Sequence, residues 1–175
     1  MAVNRDFEQS IQVYFQDLIE EFNLELIKPY ESNDIFLLKG GKCDIRFTYD
    51  RGETGCAFIP KTSQLFNPSY RVDFVYKFLY PFGGFSDLVT SNYYDPKIQL
   101  SWYASIIQND LKNVLNGDFS WLNDYIIKED MHGYLTELAL CLASNHPIHK
   151  KFVNGDPTWM ADAKKYALDN NFIHL

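Results

Sequence analysis

Between residues 43 and 49 the chain reads Cys-Asp-Ile-Arg-Phe-Thr-Tyr, with apolar and polar side chains in strict alternation. An extended strand sends successive side chains to opposite faces, so this run commits one face to a core and the other to water. Upstream the period is different. Phe7, Ile11, Phe15, Leu18, Ile19 and Phe22 recur every three or four positions, the spacing of one amphipathic helix. Asn4 is placed to cap that helix, and Asp6, Asp17 and Glu20, with Glu21 at the edge, form its wet face.

The change of period marks a sheet between helices. Gly40-Gly41 separates two apolar runs and suits a two-residue hairpin whose twist requires positive φ. The next turn is Asp50 to Glu53, with Gly52 at its flexible position, and Pro29 places the first strand at an edge. These signals describe a four-stranded antiparallel meander over about residues 24–60. The stretch Ser69–Tyr80 reads as helix or strand; Phe74, Val75, Phe78 and Leu79, paired at spacing four, favour helix, ended by Pro81, Gly83 and Gly84. Asp95-Pro96 is a cap followed by proline at the first helical position. Trp102, Tyr103, Ile106, Ile107, Leu111, Val114 and Leu115 then trace an apolar stripe, stopped by Asn116-Gly117. A further helix starts near Leu122, Tyr125 and Ile126, breaks around Glu129, Asp130 and Gly133, and resumes through Tyr134, Leu135, Leu138 and Leu142. Asp156-Pro157 opens the last helix, whose inner face is Trp159, Ala163, Tyr166 and Ala167. The reading is an α+β fold in a single domain, 1–175: an N-terminal helix, the meander, then a mostly helical C-terminal half packed on one face of the sheet.

Charge is placed unevenly. Residues 1–30 hold six acids against two bases, and residues 98–137 again six against two, while the net charge of the whole chain is −7. Such surfaces repel phosphate backbones and steer cationic partners inward, so no nucleic-acid partner is expected. Cys43, Cys56 and Cys141 are an odd number at wide spacing, which argues for reduced thiols. Cys43 and Cys56 read as small buried strand residues, with pairing across a hairpin as the alternative, and Cys141 among Leu138, Leu140 and Leu142 reads as core filling. The first ten residues lack a secretory pattern, and no apolar run approaches the roughly 20 residues of a membrane span. A cytoplasmic protein without a membrane partner is expected.

The residues with chemical potential are few. His146 and His149 have a spacing that metal sites use, but Pro147 lies between them, no helix is expected to carry both, and Lys150 and Lys151 follow. His132 lies near Glu129 and Asp130, a grouping that reads first as a solvated helix junction; His174 reads as a fraying end. No serine sits in a glycine-flanked elbow and no glycine-rich phosphate loop is present. No catalytic residue, metal or cofactor is assigned. The connection 80–96 carries Tyr80, Phe82, Phe85, Tyr93 and Tyr94; it reads as packed on its own domain, with an interface role as the alternative.

In residues 70–140, around Asp-Leu-Lys-Asn-Val-Leu-Asn-Gly-Asp-Phe-Ser-Trp-Leu-Asn-Asp-Tyr-Ile (110–126), the chain resembles small acidic bacterial proteins of the toxin-immunity type. The resemblance implies a non-enzymatic, stoichiometric binder whose acidic face neutralises a basic toxin domain. Asp110, Asp118, Asp124, Glu129 and Asp130, with Tyr93 and Tyr94, are the candidate contact residues, on a monomer or homodimer. The alternative is a small metal-dependent or small-molecule enzyme with its site at Asp130 and His132. Within the corner 116–122, Asp118 or Ser120 is expected to cap the following helix, with Phe119 and Trp121 plugging the corner.

Overall fold

The computed structural model describes residues 2–29, 34–50, 52–62, 68–81 and 95–174, with side chains from Asp6 onward. These fall into two compact units, one of residues 1–61 and 69–119, the other of 62–68 and 120–175.

The first unit is built on the alternating strand. β1 (Glu25–Ile27), β2 (Ile35–Lys39), β3 (Cys43–Asp50) and β4 (Glu53–Pro60) form an antiparallel meander, and a fifth short strand, β5 (Tyr70–Arg71), pairs with β4. Register explains the burial. Leu26, Leu38, Ile45, Phe58 and Tyr70 stand opposite one another across all five strands, and Phe36, Phe47 and Cys56 form the neighbouring row. All but Leu26 are buried. The expected alternation of Cys43, Ile45 and Phe47 inward against Asp44, Arg46 and Thr48 is the one the strand adopts. α1 (Ala2–Tyr14) and α2 (Gln16–Phe22) cover this face: the Phe7 ring lies 5.6 Å from Phe36, and Phe15 meets Phe47 edge-on at 4.8 Å.

α1 begins at Ala2, so Asn4 lies inside the helix and is not its cap. The expected single helix is divided at Phe15, whose backbone (φ −102°, ψ 9°) leaves the helical well while its side chain stays fully buried. Residues 69–80 turn out to be both of the alternatives: Tyr70 continues the buried row as strand, and α3 (Val72–Leu79) follows. The Gly40-Gly41 turn does not use positive φ. Glycine is required at position 40 by crowding, because a Cβ there would stand 2.8 Å from the Leu24 Cδ2 and closer still to the Cys43 carbonyl. Gly52, by contrast, sits at φ +92° as its turn demands.

α4 (Pro96–Ile106) starts as the sequence indicates, with the Asp95 carboxylate accepting from the Lys97 N–H at 2.8 Å. It reaches β4 through Gln99, whose Oε1 accepts from the Thr54 N–H at 2.7 Å, and through the Tyr103 hydroxyl, which donates to the Thr54 carbonyl. The helix then widens into a π-helical turn, Ile107–Leu111, before α5 (Lys112–Leu115). Gly117 at φ +92° ends it, with the Asp118 N–H returning to the Asn113 carbonyl and the Gly117 N–H to Val114, the left-handed stop read from Asn116-Gly117.

The second unit is helical: α6 (Leu122–Tyr125), a π-helical turn Ile126–Asp130, α7 (Met131–Cys141), α8 (Pro147–Val153) and α9 (Trp159–Asp169). Trp121, neither Asp118 nor Ser120, occupies the cap position of α6, and its ring is buried against Tyr125. Ala163 and Ala167 form the buried stripe of α9. α8 is the element missed by the sequence reading. Pro147 is its first residue and His146 its cap, the imidazole Nδ1 accepting from the Ile148 N–H, so one helix start does hold both histidines. His174 does not fray: its N–H and C=O are both clasped by the Asn123 amide at 2.8 and 2.9 Å.

The thiols divide by burial. Cys43 lies opposite Pro60 and Cys56 opposite Phe47, so the two do not pair across the hairpin; both are buried and free. Burial pushes the Cys43 thiol up to about 12 and Cys56 well above its ordinary value. Cys141 is exposed, because the inner face of α7 is Tyr134, Leu135, Leu138 and Ala139; the core-filling expectation fails there. The native protein is therefore expected to give one Ellman-reactive thiol per chain at pH 8, and three after unfolding in guanidinium. Rapid labelling of two or more native thiols would contradict this burial.

Candidate functional site

Of the candidate contact residues, Tyr93 and Tyr94 lie outside the described residues, as does most of the 80–96 connection. The five acids are divided between the units: Asp110 and Asp118 belong to the first, Asp124, Glu129 and Asp130 to the second. Asp110 is exposed at the π turn after α4, where its carbonyl accepts from the Tyr80 hydroxyl at 3.1 Å. Asp118 is exposed just past the Gly117 stop.

In the second unit the three acids share one continuous helical run. Residues 120–141 hold Asp124, Glu129, Asp130 and Glu137 against the single base Lys128, whereas residues 142–175 hold three acids against four lysines. The charge is therefore uneven along the sequence of this unit. Lys128 pairs with Asp124 at 3.2 Å, both exposed, so that pair contributes little. Glu129 is exposed and forms no ion pair among the described residues.

Asp130 is different. It is the last residue of the π turn and leaves the helical well at φ −133°, ψ 23°. That bend folds its carboxylate back over Gly133, where any Cβ would collide with Oδ1. The helix break expected at Glu129, Asp130 and Gly133 is absent; the run continues through them by adding a residue to one turn, and glycine, having no Cβ, lets the acid lie flat. Burial raises the Asp130 pKa, and the nearby His132 offsets this only in part. Among the described residues no cation pairs with it. A half-buried carboxylate without a cation is a charge already stripped of part of its water.

His132, whose charge acts on Asp130, has aromatic neighbours. The exposed His132 ring stands edge-on to Trp159 at 6.0 Å, and Trp159 meets Phe152 edge-on at 5.0 Å, both half-buried. Trp159 and Phe152 were not among the sequence candidates, since Trp159 was assigned wholly to the inner face of α9. A pattern that points to the π turns is present in the sequence: Ile106-Ile107-Gln-Asn-Asp110-Leu111 and Ile126-Ile127-Lys-Glu-Asp130-Met131 repeat the same arrangement. Ile106, Ile107 and Leu111 are buried in the first and Ile126 in the second, while Met131 is half-buried. π turns are rare and concentrate at functional positions.

The Asp130 and His132 pair recruits no further ligand. Among the described residues no group of three or more His, Cys, Asp or Glu is placed to hold a metal ion. The Nδ1 of His149 is 3.0 Å from the Ala139 carbonyl and that of His146 accepts from the Ile148 N–H, so both rings take part in local bonds. Among the described residues no helix is long and apolar enough to cross a membrane. The chain matches no protein-family model, no curated protein and no solved structure.

Proposed function

We propose that the protein is a non-enzymatic binding module of the immunity or inhibitor kind, acting in the cytoplasm, whose acidic helical run Asp124–Asp130 engages a basic protein partner. The observation that carries this reading is Asp130: a carboxylate held half-buried over Gly133, with no cation pairing with it among the described residues, next in the chain to the exposed Glu129. Left alone it costs stability. A lysine or arginine from a partner recovers that cost as an ion pair whose desolvation is already part-complete. Asp110 and Asp118, both exposed, add acidic charge on the first unit, which supports long-range steering of the same partner.

The test is affinity capture from lysate of the native host, followed by mass spectrometry, with two charge-reversed chains beside the native one. The expected result is a stoichiometric basic protein, captured by the native chain, weakened by salt, and lost with Asp124→Lys/Glu129→Lys/Asp130→Lys. Capture that survives this reversal with unchanged salt dependence sinks the reading. Loss only with Asp110→Lys/Asp118→Lys would move the contact to the first unit.

A further inference from the structure

In the first unit, α1 and the start of α4 enclose a groove of about 260 Å³ lined by Asp6, Gln9, Ser10, Val13, Tyr14 and Lys97. It differs from an ordinary surface crease in two ways. Its apolar wall is open: Val13 keeps 62% of its surface exposed and Tyr14 37%, on a helix whose Phe7 and Ile11 are buried. Its charges are also unpaired among the described residues. The Asp6 carboxylate on α1 and the Lys97 ammonium on α4 form no ion pair with each other or with any other described residue. The Ser10 hydroxyl is occupied by the Asp6 carbonyl, which leaves the Gln9 amide as the neutral polar group of the lining.

Two opposite, unpaired charges on facing walls select a ligand that carries both signs. A singly charged ligand satisfies one wall and meets a like charge on the other. The volume is below that of sites for drug-sized or nucleotide ligands and fits a molecule of amino-acid size. We propose that this groove binds a free zwitterionic amino acid, its ammonium on Asp6, its carboxylate on Lys97 and an apolar side chain on Val13 and Tyr14. The site lies wholly in the first unit and is independent of the acidic run in the second.

The experiment is a 1H–15N titration of the full chain with L-leucine, with 3-methylbutylamine (leucine without its carboxylate) and with 4-methylpentanoate (leucine without its ammonium). Leucine is expected to give saturable shifts confined to the amides of Gln9, Val13, Tyr14 and Lys97, with Kd on the order of millimolar. Each singly charged analogue should bind about fivefold more weakly. Asp6→Asn should make leucine no better than 4-methylpentanoate, and Lys97→Met should make it no better than 3-methylbutylamine. Both side chains are exposed, so unchanged spectra elsewhere certify the fold of the variants. Absence of saturable shifts, equal binding of all three probes, or unchanged leucine affinity in both variants would overturn the proposal.

Discussion

Phe47→Ala is expected to lower stability by about 3–5 kcal/mol, read as a fall in the denaturant midpoint at unchanged slope. Phe47 is fully buried at the centre of β3, opposite Phe36 on one side and Cys56 on the other. Its ring is the one that Phe15 meets edge-on at 4.8 Å and 77°, so the substitution removes an aromatic contact between the sheet and the turn joining α1 and α2. Such an aromatic pair adds about 0.5–1.5 kcal/mol beyond area burial. The site cannot collapse easily, because its neighbours are fixed by register in five paired strands and by a backbone kink at Phe15. Val13→Ala, at an exposed position of the same helix, should change stability by less than about 0.5 kcal/mol. A loss below about 1 kcal/mol for Phe47→Ala would mean that the sheet is covered by something other than this row of rings.

The features legible in the sequence were those set by short-range rules. Alternation over Cys43–Tyr49 gave the strand and its inner face, since a one-residue slip would have turned Ile45 and Phe47 to water. Asp95-Pro96 and Asn116-Gly117 marked a helix start and stop whose hydrogen bonds are local, and both are where the sequence places them. What escaped depends on partners distant in the chain or on small changes of helical pitch. The kink at Phe15 follows from keeping one ring on Phe47 while the helix changes direction. Gly40 is needed because the Cys43 carbonyl and the Leu24 side chain both crowd it, and the second contact comes from sixteen positions away. α8 is hard to see in the sequence because Pro147 separates two histidines, yet proline at a first helical position is a start signal. The His174 clasp needs Asn123, fifty-one residues away. For the candidate site, the acids were readable from composition, but their unequal value was not: Asp124 is neutralised by Lys128 one turn on, whereas the π turn sets Asp130 over Gly133.

That inequality gives Asp130→Asn two opposite expected effects: higher stability and weaker partner binding. Burial raises the Asp130 pKa above its ordinary 3.8 in the folded chain, more than His132 lowers it. In the window from that unfolded value up to the raised folded one, the native state holds more protons than the unfolded state. Stability therefore falls as pH climbs through the window, and the loss persists above it. Asparagine keeps the shape, has no charge to desolvate and does not titrate, so the variant should be the more stable chain at pH 7 and should lose that part of the acid-side pH dependence. The gain should vanish below the ordinary carboxylate range, where the native side chain is also neutral. Against a captured basic partner the same substitution leaves the partner's cation facing an amide. Truncating one member of a desolvated charge pair costs about 2–5 kcal/mol, a rise in Kd from about thirtyfold to several thousandfold by calorimetric titration. Stability and affinity falling together would make Asp130 a structural residue of the π turn, and unchanged affinity would remove it from the contact. Only a chain that folds better and binds worse identifies a carboxylate kept half-buried for a partner's cation.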